Sequence, residues 1–286
     1  MKKNLQYRIE ALGLKLFFGL LRLLSLDAAS ALGGWLGRRI GPRLKAHRTA
    51  QQNLARFLPE RSPDERNVIL QNMWDNLGRV AAELAHHHNP VLTRRIEIIG
   101  GEYMPKPGAP VFFFSGHVGN WELLAYVAYA HGVPITSVYR KSNNPYVDDM
   151  IADIRSTWAR NMFPKGPAGA VKMARAIKNG EAIAMLVDQK MNDGIPVPFF
   201  GIHAMTAPAL AQLALRYDLP IIPARVVRTS GAHFRSFTYP PLDIERTGNI
   251  ERDAEKIMCT VNAILESWIR EHPEQWFWVH QRWPRP

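Results

Sequence analysis

The sequence predicts an α/β protein: a single domain with a mixed central sheet flanked by helices, preceded by a helical N-terminal region with a membrane-associating helix. Three observations predict it. From about residue 91, short apolar runs alternate with helix-period segments, the pattern of strands covered by helices. The first 90 residues carry the helical period alone. The opening segment joins basic residues to an apolar face.

The opening segment, "MKKNLQYRIEALGLKLFFGLLRLLSLDAASA", has the outline of a secretory signal: Lys2 and Lys3, an apolar stretch, then Ala29-Ser30-Ala31. Lys15 and Arg22 interrupt it, so no clean run of about 18 apolar residues is left for a simple span. These two are seven positions apart and share a helix face, while Leu12, Leu16, Leu20, Leu23 and Leu24 lie largely away from it. Such a helix, over residues 1–26, suits the membrane–water interface. A tilted span, packing on the rest of the fold and a cleaved signal are the other readings. Residues 43–57 form a basic amphipathic segment. The next helix announces its start with Ser62 as N-cap, Pro63 in the first position and Glu65 in the third. Its apolar spacing runs to Leu84; His86, His87 and His88 then read as a solvated helix end before Asn89-Pro90.

Beyond residue 90 the elements follow quickly. "RRIEIIG" is strand-like, and residues 111–114 are a fully apolar run of the buried-strand type. Asn120 can cap a helix from Trp121 to about Ala130, closed by His131-Gly132. "PITSVYR" is a strand, residues 146–161 and 168–179 are helical, and "EAIAMLVDQ" is a strand ending at Asp188. "MNDGIPVPFFG" reads as a loop from its Gly and Pro punctuation. A helix ("APALAQLALRYDL"), two strands ("PIIPARVVR", "HFRSFTY") and a long helix ("RDAEKIMCTVNAILESWIREH") complete the pattern. In "QWFWVHQRWP", alternation suggests a strand with Trp276, Trp278 and His280 on one face, packed in the core or set in an interfacial aromatic belt. The chain therefore divides into the first helix (1–26), a helical subregion (about 27–90) and an α/β core (about 91–286) of one domain.

The 36 Lys and Arg against 25 Asp and Glu give a formal charge of +11 over 286 residues. That implies acidic partners: nucleic acid, anionic lipid, a phosphorylated substrate or an acidic carrier protein. No nucleic-acid fold signature accompanies the charge. The single cysteine, Cys259, excludes a disulfide framework and a thiolate metal site, and its amphipathic surroundings point to packing.

Chemistry centres on "VFFFSGHVGNWELL". On one continuous helix, His117 and Glu122 would sit about 140° apart. A strand ending near Phe114 and a turn through Ser115-Gly116 place His117 in a bend and Glu122 in the first helical turn. There the helix dipole favours the carboxylate, which can orient the imidazole. His117 can then take a proton from a substrate hydroxyl, the logic of a triad whose nucleophile the substrate supplies. Backbone N–H groups of the turn could meet a developing oxyanion.

"HVGNWE" resembles the motif of the bacterial lipid A late acyltransferases, the lauroyl/myristoyl acyltransferases within the His-x4-Glu acyltransferases. "VYRKSNNPYVDDMIADIR", "LVDQKMNDGIPVPFFGIHAMT" and "PEQWFWVHQRWP" resemble stretches of that family in the same order, covering about residues 10–284. The chain departs from it at Lys190, where many members carry an acidic residue, and at Ala209, where Gly is frequent. The resemblance implies transfer of a fatty acyl group from an acyl carrier protein thioester to the hydroxyl of a 3-hydroxyacyl chain on a lipid A precursor, at the cytoplasmic face of the bacterial inner membrane. It implies no cofactor and no metal. His117 and Glu122 are the expected catalytic pair. Arg155 and Asp188 match family positions linked to activity; Asn120 is a supporting candidate, and Arg140, Lys141 and Lys165 are candidates for anion contacts, with ordinary surface charge the other reading. Arg155 could bind a phosphate or the carrier's phosphopantetheine. Phe199 and Phe200 are candidates for an acyl pocket. A second enzyme reading keeps the chemistry and changes the acceptor to a phospholipid, an ornithine-type lipid or a mannosylated lipid. A basic protein that binds nucleic acid or a membrane surface without catalysis is a third class.

Overall fold

A computed structural model describes residues 2–139, 141–164 and 167–284. Helix α1 (Lys2–Arg22) divides its apolar residues between two faces. Phe18 and Leu21 are buried, with Leu14 and Phe17 packed beside them. Leu5, Ile9, Leu12, Leu16, Leu20 and Leu23 are exposed. Packing therefore accounts for one stripe of the helix only. No helix among the described residues is long and apolar enough to cross a membrane.

Helix α2 (Leu26–Ile40), helix α3 (Lys45–Phe57) and helix α4 (Pro63–Glu83) follow. The expected capping box forms: Ser62 Oγ accepts from Glu65 N–H, and the Glu65 carboxylate accepts from Ser62 N–H. The histidines after α4 are not a solvated end. A 3-10 turn, Leu84–His86, carries the chain inward beneath α1. His86 Nε2 lies 2.9 Å from the Leu21 carbonyl oxygen, and His87 is buried. His88 meets the Thr157 hydroxyl at 2.8 Å. Sequence periodicity says nothing of the element that closes over a helix end, and here α1 does so.

After the short α5 (Pro90–Thr93) come β1 (Ile96–Ile99), β2 (Phe112–Ser115), α6 (Leu124–Ala130), β3 (Ile135–Tyr139) and α7 (Pro145–Arg155). The helix expected over 146–161 stops at Arg155, and β4 (Asn161–Pro164) pairs parallel to β3. Helix α8 (Pro167–Lys178) leads to β5 (Ala182–Leu186). The expected loop "MNDGIPVPFFG" contains a strand: β6 (Ile195–Phe199) pairs antiparallel with β7 (Ile202–Thr206) in a two-stranded ribbon. Pro196 and Pro198 mask it in the sequence, since proline lacks the ladder N–H and is tolerated only at an edge. Helix α9 (Ala209–Tyr217), β8 (Ile221–Ser230), β9 (His233–Thr238) and α10 (Ile250–Glu271) complete the α-helices and strands of the described residues. Cys259, on α10, is partly buried.

The main sheet runs β1-β9-β8-β2-β5-β3-β4. Only the β8–β9 pair is antiparallel, so the sheet is mixed, as expected. Phe112 and Phe114 face the core formed with α9 and α10, whereas Phe113 faces α6. Cover on both faces is why β2 reads as an unbroken apolar run. Residues 276–280 do not form the expected strand. Their one bridge joins Trp276 to Val118, and the Trp276 and Trp278 rings stand nearly perpendicular. Both are fully buried, and with Trp283, Phe199 and Phe200 they belong to the core rather than to the cavity described next.

Candidate active site

Two parallel strands end side by side. Phe114 of β2 pairs with Met185 of β5, and Ser115 with Leu186. The chain leaving β2 reaches His117, and the chain leaving β5 reaches Asp188. Their side chains meet: His117 Nδ1 lies 2.8 Å from Asp188 Oδ1. Asp188 Oδ2 accepts the His117 backbone N–H at 2.7 Å and the Trp276 indole N–H at 2.8 Å. Asp188 is fully buried. Burial pushes its pKa up, but the His117 charge and these hydrogen bonds outweigh that and hold it at about 2. The carboxylate stays ionised, accepts from Nδ1–H, and thereby leaves Nε2 as the basic nitrogen of neutral His117.

A buried polar network holds the turn after His117. Gly119 has φ +60°, and a Cβ there would lie 2.0 Å from the Val226 carbonyl oxygen. Its N–H donates to Gln275 O, and its carbonyl accepts from Asn76 Nδ2. Asn120 caps the following turn, accepting from Glu122 N–H, and donates through Nδ2 to Glu83. Glu83 is itself held by both terminal nitrogens of Arg228 at 2.5 and 2.9 Å. Asn120 is thus an anchor of the turn. The expectation that N–H groups of this turn await an oxyanion is corrected at His117 and Gly119, whose N–H groups are already engaged.

The pairing of Glu122 with His117 is also corrected. Glu122 is bound by Arg155, Nε to Oε2 at 2.7 Å and a terminal nitrogen to Oε1 at 2.5 Å, and by the Trp121 indole at 3.0 Å. The left-handed turn at Gly119 sends the helix start toward α7, so the carboxylate meets a cation there. The end of β5 takes the place beside the imidazole. Burial pushes Glu122 up, but Arg155 outweighs it and the carboxyl stays below its usual range. For Arg155 burial acts downward and Glu122 upward, with a net rise.

His117, Glu122 and Arg155 share a cavity of about 310 Å³ between the sheet and α6, walled mainly by apolar groups such as Phe113, Leu124 and Ala128. His87 also lines it. Burial pushes this imidazole down to about 4, and its Nε2 has no partner among the described residues. Its ring lies tilted against Trp158, with centroids 3.7 Å apart. Lys141 is exposed and does not line the cavity. Arg140 and Lys165 lie outside the described residues. Sequence reasoning missed Trp276 as a hydrogen-bond donor to Asp188 and Glu83, Arg228 and His87 as parts of the site. The only signal was charged or polar residues inside apolar-period segments.

The family model of the bacterial lipid A biosynthesis acyltransferases matches residues 2–285. The chain belongs to this family. A lipid A biosynthesis acyltransferase of Haemophilus influenzae is 25% identical over 276 residues, 93% of this chain and 84% of that one. The lipid A biosynthesis lauroyltransferase of Escherichia coli is 24% identical, covering 81% of this chain and 76% of its own. The myristoyltransferase of the same organism is 24% identical, with 85% and 77% covered. Membership of the lipid A acyltransferase family makes acyl transfer onto lipid A the reaction class. In this family member an apolar cavity is lined by His117, whose imidazole meets Asp188, and by the Glu122–Arg155 pair.

Proposed function

We propose that the protein transfers a fatty acyl chain from an acyl carrier protein thioester to the hydroxyl of a 3-hydroxyacyl chain on a lipid A precursor, with His117 as general base. The observation that carries this reading is the imidazole set between a buried carboxylate and an apolar cavity. Asp188 holds the Nδ1–H tautomer, so Nε2 can accept the acceptor's hydroxyl proton as that oxygen attacks the thioester carbonyl. The new C–O bond forms, the C–S bond breaks, and the thiolate leaves with the proton returned from the imidazolium. Ionised Asp188 stabilises that imidazolium.

Glu122 is a positioning residue for Arg155 here. It occupies Nε and one terminal nitrogen, which fixes the plane of the guanidinium. The other terminal nitrogen then offers a donor fork edge and a positive charge to a phosphate of donor or acceptor. The +11 charge suits both an acidic carrier and a phosphorylated glycolipid. The exposed leucines of α1 support seating in the membrane interface, at the face where the precursor is made.

Purified protein incubated with acyl carrier proteins of several chain lengths and a lipid A precursor should give a product heavier by one acyl group. A precursor of unchanged mass with every donor refutes the reading.

A further inference from the structure

Two buried hydroxyls beside the cavity have no hydrogen-bond partner among the described residues. Ser236 and Thr238 lie two positions apart on β9, and both line the space shared with His117. They are 1% and 3% exposed, and neither side-chain oxygen has a hydrogen-bond partner among the described residues. Their neighbours across the sheet offer nothing: Val226 and Ala224 stand opposite them on β8, and Ile98 is opposite Ser236 on β1. Native interiors leave few such groups, because each forfeits its bonds to water.

Alternate residues of a strand face the same side, about 6.5 Å apart along it. The two hydroxyls are too far apart to bond each other. A ligand oxygen midway would stand about 3 Å from each, within hydrogen-bond range. A hydroxyl suits that place, since it donates to one oxygen and accepts from the other. The surrounding wall, with Phe113, Ala125, Ala128 and Ala224, suits an alkyl chain. In the sheet order β9 stands two strands from β2, about 10 Å away, and His117 follows β2. The hydroxyl is therefore set back from the reacting carbonyl.

We infer that the cavity is built for an acyl chain carrying a hydroxyl along its length, held between Ser236 and Thr238. The inference rests on the acyl-transfer reading and names the class of donor. An unsubstituted chain in this place strands both side-chain oxygens, and a site that bonds a substrate hydroxyl discriminates against the analogue lacking it.

The test uses the full chain and donors of one chain length, unsubstituted or with a single hydroxyl at the third, a middle or the terminal carbon. In the wild type, at least one hydroxylated donor should exceed the unsubstituted one roughly tenfold in kcat/KM. The Ser236→Ala/Thr238→Val variant should lose most of that ratio, and its Tm should not fall, because no partnered hydroxyl is removed. Equal use of all donors by the wild type, or a ratio that survives in the variant, overturns the inference. If the double variant does not fold, Thr238→Val alone carries the comparison. Calorimetric binding of the matching free fatty acids to wild type and variant decides the same question without turnover. Failure of every donor to react sinks the acyl-transfer reading, while the binding ratio still upholds or overturns this one.

Discussion

Replacing Asp188 by Asn tests the base and its orientation with one atom. Oδ2 of Asp188 accepts two N–H groups, from the His117 backbone and the Trp276 indole. In Asp188→Asn the amide oxygen must take that place. The amide NH2 then faces His117 Nδ1, which becomes an acceptor, and the imidazole proton moves to Nε2, where a base needs a lone pair. The opposite amide orientation restores the working tautomer but leaves two buried donors without acceptors, at roughly 1–3 kcal/mol each. The working tautomer is therefore about 30-fold to 10⁴-fold depleted, and kcat should fall by about that factor. KM should change little. Product mass followed in time with a fixed donor and precursor measures both. A variant with kcat within threefold of wild type refutes the tautomer argument.

The same variant has a stability signature. The folded pKa of Asp188, about 2, lies below the ordinary 3.8. A depressed carboxyl contributes stability above its unfolded pKa and loses it as pH falls through the folded one. A shift of nearly two units corresponds to on the order of 2 kcal/mol, lost between about pH 4 and pH 2. Asp188→Asn should flatten that limb of the acid unfolding curve, and an unchanged limb contradicts it.

His117→Ala should lower kcat by about 10²–10⁴ with the fold intact by circular dichroism; retained turnover removes it as the base. His87, folded with a pKa of about 4 against 6.5, binds a proton more readily when unfolded. Stability should be full above about pH 6.5 and fall by roughly 3 kcal/mol toward pH 4. His87→Phe keeps the ring contact with Trp158 and should flatten that slope; an equally steep slope in urea titrations opposes it. Glu122→Gln leaves Arg155 without its counter-charge and should cost about 1–3 kcal/mol, less than a fully buried pair because the Arg155 side chain is 29% exposed. Glu122→Gln/Arg155→Met should recover most of it, and additive losses in the double-mutant cycle deny the coupling. Leu12→Glu/Leu16→Glu, on the exposed face of α1, should weaken cosedimentation with anionic vesicles at least tenfold, since each leucine contributes about 1.5–3 kcal/mol when buried. Unchanged cosedimentation refutes interfacial seating.

Local signals were legible wherever one element answers to its own period. The Ser62–Glu65 capping box, the apolar run of β2, the Asn120 cap and the helices α9 and α10 stand where spacing and cap chemistry put them. Elements whose identity depends on a neighbour were misread. The strand β6 is hidden by its prolines, β4 follows a helix that ends early, and His86 and His87 are buried by α1, which precedes them by more than sixty residues.

By itself the sequence determined the alternating fold, the family and the candidacy of His117, Asn120, Glu122, Arg155 and Asp188, because strand and helix periods and a contiguous motif are local properties. Which of these residues meet was decided by tertiary structure alone. Parallel pairing of β2 with β5 sets His117 against Asp188 across 71 positions, and packing of α7 sets Arg155 against Glu122 across 33. Five positions of spacing suggested a partner for the imidazole. Strand register supplied a different one, because side chains at the ends of paired strands converge whatever their separation in sequence.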